Sequence, residues 1–186
     1  MAYLSSAQLA DLGLAEYGED VLISDRCSLH GTESIHLGSH IRIDDFTVIT
    51  ASLPVIIGSY VHIGAQVFIS GMNGFRMGDF AGISTGAAIF TSTDDFSGEF
   101  LTGPTVPDRF RNTLDGEVVL GRHVVVCAHT VVMPGVTIPE GSIVGAQSLV
   151  VRSLEPWSIY FGRPARFRKL RARVVLDHER LLDRDR

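Results

Sequence analysis

The sequence has few of the features that mark secreted or membrane-spanning proteins. It contains only two cysteines, Cys27 and Cys127, and their spacing matches no metal-binding motif. So few thiols are typical of a chain that stays reduced, and we interpret both as small buried residues. No apolar run approaches the ~20 residues needed to span a bilayer. The first residues, MAYLSSAQLADLG, lack the basic start and apolar core of a secretion signal. We therefore expect a cytoplasmic protein.

Positive charge is scarce over most of the chain. Residues 1–151 carry 6 Lys and Arg against 16 Asp and Glu, a net charge of −10. Residues 152–186 carry 10 against 5, a net charge of +5. An acidic body with a short basic tail argues against a nucleic-acid binder, whereas the tail is suited to holding a small anion near the C-terminus.

The dominant pattern is an aliphatic residue at every sixth position. Three segments offset by 20 residues, and one unbroken run after residue 117, supply these positions: Leu37, Ile43, Ile49, Ile57, Ile63, Ile69, Met77, Ile83, Ile89, Leu120, Val126, Val132, Ile138, Val144 and Val150. The fourth position after each is mostly small or β-branched, as at Thr47, Ala87 and Ser148. A period of six matches neither an amphipathic helix nor an alternating strand. It predicts an all-β solenoid in which three short strands form the sides of a triangular prism, with both sets of residues pointing inwards.

We divide the chain into three parts. Residues 1–20 form an N-terminal capping helix region, residues 21–160 form the β-solenoid with a loop at 92–117, and residues 161–186 form a C-terminal helical cap. Ser5 and Gln8 match a capping box that starts a short helix over the first coil. At the other end, we expect Pro164 to start a helix with one apolar stripe, formed by Phe167, Leu170, Val174 and Leu181.

The repeats over about residues 20–166 resemble those of the hexapeptide-repeat acyltransferases, whose fold is a left-handed parallel β-helix. The resemblance implies an acyl-CoA co-substrate such as acetyl-CoA, no metal, and a homotrimer with active sites between subunits. It is more specific for the fold than for the function, because the same scaffold serves other activities.

In the resembling enzymes, acyl-CoA lies along one edge of the prism, and the backbone holds its pantetheine arm. Small residues allow the backbone to approach this thin arm, and guanidinium groups in the GRPAR motif suit phosphate oxygens. The positions that this implies here are Ala128, Ala146, Val151, Arg152, Gly162, Arg163 and Arg166.

The loop at 92–117 interrupts the repeat and contains the acidic run STDDFSGEF. Long loops on a regular scaffold are often functional. Phe96, Phe100 and Phe110 would be costly in water, so we expect the loop to pack on a partner subunit. In the resembling enzymes such a loop covers the groove between subunits, which implies that the acidic run faces the substrate.

The acceptor group depends on which base is present. Many O-acetyltransferases of this fold place a histidine just after the preceding coil, where this chain has TSTDD. A hydroxyl needs a base to remove its proton as it attacks, whereas a neutral amine attacks a thioester unaided and releases its proton afterwards. At these residues the chain resembles N-acyltransferases acting on nucleotide-linked amino-dideoxy sugars for surface glycans, of the dTDP-4-amino-4,6-dideoxyglucose type.

This resemblance suggests a role for each polar residue near the loop. Asp94 would hold the acceptor amine, and Ser84 would hydrogen-bond the thioester carbonyl or the amine. His129 is a further candidate catalytic residue, and His62 a weaker one. The expected substrate-binding residues are Asp95, Ser97, Glu99 and Asn112.

The sequence is compatible with three alternatives. The first is a sugar or polysaccharide O-acetyltransferase that uses His129 or His62 as its base. The second is a zinc hydratase of the γ-carbonic anhydrase type, although the intervals between the histidines do not match that family. The third is a purely structural solenoid, against which the acidic loop and the basic GRPAR tail both argue.

Overall fold

The computed structural model describes residues 2–184, which form one β-solenoid with a short helix at each end. The helices are α1 (Ser6–Asp11) and α2 (Val175–Arg184), with short 3-10 turns at Thr32–Ser34 and Asp108–Phe110. The strands, in chain order, are β1 (Glu16–Tyr17), β2 (Val21–Ile23), β3 (Ser28–His30), β4 (Ile35–Leu37), β5 (Ile41–Ile43), β6 (Val48–Ala51), β7 (Val55–Ile57), β8 (Val61–Ile63), β9 (Phe68–Gly71), β10 (Phe75–Met77), β11 (Gly82–Ile83), β12 (Ala88–Phe90), β13 (Ser92–Asp94), β14 (Thr113–Asp115), β15 (Val118–Leu120), β16 (Val125–Val126), β17 (Val131–Val132), β18 (Thr137–Ile138), β19 (Ile143–Val144), β20 (Leu149–Val150), β21 (Ser158–Phe161) and β22 (Arg166–Leu170).

Three sheets form the sides of the prism, and each of the first six coils contributes one strand to each sheet. The first sheet has the order β1-β4-β7-β10-β15-β18, and the second has β2-β5-β8-β11-β16-β19-β21-β22. The third sheet has the order β20-β17-β12-β9-β6-β3. Within the described residues only the pairing of β21 with β22 in these three sheets is antiparallel. The β-solenoid expected from the period of six is confirmed.

The interior of the prism contains the predicted residues. All the aliphatic positions of the six-residue period are at most 3 % exposed, and so are the small or β-branched residues four positions later at the other two corners of the prism, namely Thr47, Val61, Val67, Ala87, Val124, Thr130, Val136, Ser142 and Ser148. Where the inward residue is polar, its hydroxyl is satisfied: Thr47 donates to the Gly64 carbonyl at 2.9 Å, and Thr130 to the Gly145 carbonyl at 3.1 Å. Buried hydroxyls therefore fit this core because neighbouring coils supply acceptors.

Three six-residue sides make a coil of 18 residues, but the coils before residue 90 have 20. The two extra residues of each of these coils lie at one corner, between the third and the first sheets. Register supports this location, because β7 pairs with β4 at an offset of 20 residues, whereas β18 pairs with β15 at an offset of 18. The loop at 92–117 leaves the prism from the same corner, one coil later. We call this edge the hairpin corner, and the edge between the second and third sheets the Ser84 corner.

The N-terminal helix has the predicted capping box. The Ser5 N–H donates to Gln8 Oε1 at 2.9 Å, and the Gln8 N–H donates to Ser5 Oγ at 3.4 Å. Leu9 is buried in the hydrophobic core, so the helix covers the first coil.

The C-terminal segment differs from the expectation that Pro164 starts a helix. Residues Arg166–Leu170 instead form β22, which pairs antiparallel with β21, and helix α2 starts only at Val175. The apolar residues of the predicted helix are not buried, since Phe167 is 53 % and Leu170 is 73 % exposed. The cause is the free edge of β21, whose unpaired backbone groups gain a full partner when the chain folds back, and this outweighs a local helical pattern.

Glu179 of helix α2 holds the helix against the prism through two basic side chains. Glu179 contacts the Arg122 guanidinium and accepts a hydrogen bond from His123 Nε2 at 2.8 Å. His123 is 3 % exposed and lies in a column of corner rings, stacked on Phe80 with centroids 5.2 Å apart. Burial, and then the charge of Arg122, lower the pKa of His123.

The buried histidine predicts a pH dependence of stability. The His123 pKa is lowered in the folded state, so below about pH 6.5 the unfolded chain binds a proton that the folded chain does not. We expect the free energy of unfolding to fall as the pH drops below that value. In His123→Asn, which cannot titrate, urea titrations between pH 7.5 and pH 5.5 should show a flatter slope. If the free energy of unfolding of His123→Asn changes with pH as steeply as that of the wild type, His123 is not the source of the pH dependence.

Candidate active site

The polar loop is a hairpin rooted on the hairpin corner. Its first strand, β13, pairs antiparallel with β14, with Asp94 opposite Thr113 and Ser92 opposite Asp115. The Gly116 N–H closes the root by donating to the Thr91 carbonyl at 2.9 Å. The exposed fractions are 75 % for Phe96 and 48 % for Phe110, so in a single chain these rings lie in solvent.

Asp94 is half-buried at the base of this hairpin. Within residues 2–184 the only hydrogen bond to its carboxylate comes from the Gly103 N–H, which lies 3.1 Å from Oδ2, and no cation pairs with it. Its Oδ1 is thus open to accept a hydrogen bond from an incoming amine.

The neighbouring polar residues are engaged with one another. Asp95 accepts hydrogen bonds from the Ser97 N–H at 2.7 Å and from Asn112 Nδ2 at 2.9 Å. These hydrogen bonds lower the pKa of Asp95, and the one from Asn112 contributes most. Glu99 donates its N–H to Ser97 Oγ at 3.1 Å, and its side chain is exposed. Asp95, Ser97 and Asn112 therefore fix the shape of the hairpin beside Asp94.

Ser84 lies at a different corner of the prism. It directly follows β11, and its N–H donates to the Val126 carbonyl at 2.8 Å. Its side chain is half-buried, and no hydrogen bond to its hydroxyl occurs among the described residues. The hydroxyl is free to donate to a ligand at this corner.

His129 shares the Ser84 corner. Its backbone is in the left-handed region, with φ 56°, and its N–H donates to the Thr85 carbonyl at 3.0 Å. The imidazole is exposed and lies directly over Gly86, where an added Cβ would be 2.4 Å from Nδ1. Glycine at residue 86 is what allows the ring to lie there.

Asp94 and Ser84 are not brought together within one chain. They lie at opposite ends of β12, which by itself spans roughly 10 Å. The structure thus groups Ser84 with His129, and places Asp94 with Asp95, Ser97 and Asn112 on the neighbouring corner.

His62, the weaker candidate base, is part of a separate polar cluster. Its Nε2 lies 2.8 Å from Asp44 Oδ2, and Arg42 Nε donates to Asp44 Oδ1 at 2.7 Å. Burial alone would raise the pKa of Asp44, but hydrogen bonds from Arg42 and His62 outweigh it and lower the pKa. The sequence pattern did not single out Asp44, and its carboxylate occupies Nε2 of His62.

Most positions suggested for acyl-CoA lie along the Ser84 corner. The Ala128 carbonyl accepts the Gln147 N–H at 2.8 Å, and Ala146 is exposed on the next coil. Arg163 donates to the Gln147 carbonyl at 2.6 Å, and the Gly162 N–H donates to Ser148 Oγ at 3.1 Å. Two alanines and a glycine thus lie on this edge, and at its end the Arg163 guanidinium is bonded to the backbone.

The remaining cofactor positions lie farther from that edge. Val151, which is 48 % exposed, follows β20 at the far end of the third sheet, and Arg152 comes next. Arg166 starts β22 and is exposed. Among residues 2–184 no group of three or more His, Cys, Asp or Glu side chains is arranged to hold a metal ion, and no helix is long and apolar enough to cross a membrane.

Comparisons with known proteins give full-length matches. No family model matches the chain. It is 36 % identical over 180 residues to the dTDP-4-amino-4,6-dideoxy-D-glucose acyltransferase of Escherichia coli, which covers 96 % of this chain and 94 % of that enzyme. The N-acyltransferase AntD from Bacillus cereus, solved with dTDP and 3-hydroxybutyryl-CoA, matches with a TM-score of 0.95 and 39 % identity over 98 % of this chain and 97 % of AntD.

A second AntD structure adds the sugar ligand. A serine variant in complex with dTDP-4-amino-4,6-dideoxyglucose and coenzyme A matches with a TM-score of 0.97 and 38 % identity, covering 100 % of this chain and 99 % of AntD. A maltose O-acetyltransferase from Clostridium difficile 630 shares only the fold, with a TM-score of 0.58 and 17 % identity over 89 % of this chain and 74 % of that chain.

Proposed function

Because this chain belongs to the family of left-handed β-helix acyltransferases that includes the E. coli enzyme and AntD, we propose that it transfers an acyl group from acyl-CoA to the amine of a dTDP-linked amino-dideoxy sugar. The observation that carries this proposal is full-length similarity to proteins that take both ligands, dTDP-4-amino-4,6-dideoxyglucose and coenzyme A. We place the reaction in the cytoplasm and in the synthesis of surface polysaccharide.

The chemistry follows from the free groups on the two corners. The neutral amine attacks the thioester carbonyl, so a C–N bond forms as the C–S bond breaks. Asp94 Oδ1 accepts a hydrogen bond from the amine and takes its proton, which passes to the departing thiolate of coenzyme A. The Ser84 hydroxyl donates to the thioester carbonyl oxygen, where negative charge develops.

The residues along the Ser84 corner fit an acyl-CoA. Ala128 and Ala146 leave the backbone accessible to a thin pantetheine arm, and the Arg163 guanidinium, held by the Gln147 carbonyl, is placed for phosphate oxygens. Val151, Arg152, Gly162 and Arg166 extend the same end of the solenoid. We assign Glu99, which is exposed on the hairpin, to the sugar hydroxyls.

We propose that the active protein is a homotrimer. Asp94 and Ser84 lie on separate corners of one chain, so a site that uses both is completed by the hairpin of a neighbouring copy. The outer face of the third sheet supports this arrangement, because its half-buried outward positions are mostly apolar and only Thr50 and Ser70 interrupt them along β6, β9, β12, β17 and β20: Val48, Phe68, Ala88, Phe90, Val131, Met133 and Leu149. A largely apolar face of this kind marks an interaction surface.

O-acetyl transfer is the second candidate function, and one observation favours it. His129, an imidazole capable of acting as a base, lies on the same corner as the free Ser84 hydroxyl, whereas Asp94 does not. Under this alternative His129 would remove a proton from a sugar hydroxyl and Asp94 would only position the sugar.

The decisive assay compares acceptors that differ only at the reacting group. We expect thiol release from acetyl-CoA or 3-hydroxybutyryl-CoA with dTDP-4-amino-4,6-dideoxyglucose, and no release above background with the matched dTDP sugar that has a hydroxyl in place of the amine. Thiol release can be followed with a chromogenic disulfide and the product identified by mass spectrometry. Turnover of the hydroxyl sugar alone would replace the proposal with O-acetyl transfer.

A further inference from the structure

The root of the hairpin is fastened by a residue from the preceding coil. Asn73 lies at the hairpin corner between β9 and β10, and its amide group donates two hydrogen bonds to the hairpin root. Nδ2 lies 3.1 Å from the Thr91 carbonyl oxygen and 3.0 Å from Asp115 Oδ1. The backbone N–H of Asn73 adds a third bond, to Thr91 Oγ1 at 2.9 Å. One residue thus joins the start of the hairpin to its end.

The two partners of Asn73 are themselves fixed. Thr91 is fully buried, and its hydroxyl donates to the Ser70 carbonyl at 2.7 Å while it accepts from Asn73. Asp115 accepts from Thr113 Oγ1 at 2.9 Å on its other oxygen. Hydrogen bonds from Ser92 and Thr113 hold the pKa of Asp115 below its usual range, so the acceptor of the Asn73 amide is ionised. We call Asn73, Thr91 and Asp115 the root clasp.

The clasp lies close to Asp94 along both strands of the hairpin. Thr91 is three residues before Asp94, and Asp115 is opposite Ser92 in a two-stranded ribbon that places Asp94 opposite Thr113. Among residues 2–184 the ribbon pairs with no other strand, so its direction depends on its root. An isolated ribbon has little stability of its own.

We propose that Asn73 is a positioning residue for acyl transfer, which acts by fixing the hairpin root so that Asp94 points at the acceptor amine. The inference rests on the proposed function. An asparagine is needed because the two bonds require two donor hydrogens on one nitrogen. An aspartate would place a second carboxylate against Asp115, and an alanine would remove both bonds.

The test compares Asn73→Ala, Asn73→Asp and the double variant Asn73→Asp with Asp115→Asn, in which the acceptor and the donor of one clasp bond are exchanged. The matched control is Ser52→Ala, which removes a hydrogen bond to Met72 at the same corner without touching the hairpin. Misplaced groups lose about 10²-fold in rate, so we expect kcat to fall at least about tenfold in both single variants, with KM for acyl-CoA within twofold of wild type.

Hydrogen exchange provides a readout that does not depend on turnover. In Asn73→Ala and Asn73→Asp the amides of residues 92–94 and 113–115 should exchange faster, while those of the solenoid strands keep their protection. The double variant should recover protection and part of kcat, because the bond between residues 73 and 115 is restored with its polarity reversed. Ser52→Ala should behave as wild type in both measurements.

The outcomes separate the inference from the function on which it rests. Wild-type protein without activity on any amino sugar would overturn the proposed function, and exchange at residues 92–115 would still test the clasp. Wild-type kcat in Asn73→Ala, or hairpin exchange unchanged from wild type, would overturn the positioning role. If Asn73→Ala fails to fold, the double variant decides: no recovery relative to Asn73→Asp also overturns it.

Discussion

Replacing Asp94 by asparagine is expected to lower kcat by about 10²- to 10⁴-fold, the range that a positioned acid or base contributes. The substitution keeps the size of the side chain and an oxygen for the Gly103 N–H, which lies 3.1 Å away, so the hairpin should keep its shape. It removes the negative charge and the ability to take the proton of the attacking amine. Steady-state thiol release with the amino sugar measures the loss, and light scattering checks that the assembly is intact.

The matched comparison for this substitution is His129→Ala. The imidazole of His129 lies over Gly86 on the Ser84 corner and has an exposed ring. Under N-acyl transfer this change should reduce kcat much less than Asp94→Asn does. The reverse order, with a near wild-type Asp94→Asn and an inactive His129→Ala, would remove Asp94 from the mechanism and make the histidine the base.

The repeat predicted the solenoid because each inward position can be recognised from its near neighbours in the sequence, and many such positions agree. Every inward position depends only on its place in a six-residue period, so Ile43, Ile63 and Ile83 could be assigned to the core without knowledge of their partners. The hairpin was likewise visible as an interruption of the period. Its root clasp was not, because Asn73 meets Asp115 across 42 residues and resembles an ordinary turn residue in the sequence.

The wrong helix start at the C-terminus and the unforeseen contacts within the hairpin have one physical origin. The pattern of apolar residues at 164–181 predicts a helix. Residues 166–170 instead pair with the free edge of β21, and a local sequence pattern does not reveal that such an edge is available. Similarly, nothing in the sequence indicates that Asp95 and Asn112, which are 17 residues apart, lie within 2.9 Å of each other in the hairpin. Local periodicity thus defines the scaffold, and pairings distant in sequence define the site.

Introducing a charge on the outer face of the third sheet should dissociate the proposed homotrimer and, with it, abolish activity. Val131 is half-buried and points outwards, since its neighbours Thr130 and Val132 are both fully buried. In a trimer formed through this face, Val131→Asp would bury an unpaired carboxylate, at a cost of several kcal/mol per ion. Size exclusion with light scattering should then report the 20.2 kDa mass of one chain instead of three times that mass.

The first sheet supplies a control of the same residue type. Val119 is also half-buried and outward-facing, between the fully buried Val118 and Leu120. It pairs in register with Arg76, whose Nε donates to Glu117 and whose other guanidinium nitrogens can donate to an added carboxylate. Val119→Asp should therefore remain trimeric and active. Since Ser84 and Asp94 lie on separate corners, a monomeric Val131→Asp should retain its circular dichroism spectrum but lose thiol release. A monomer that kept full turnover would show that one chain holds a complete site, and would exclude the shared active site.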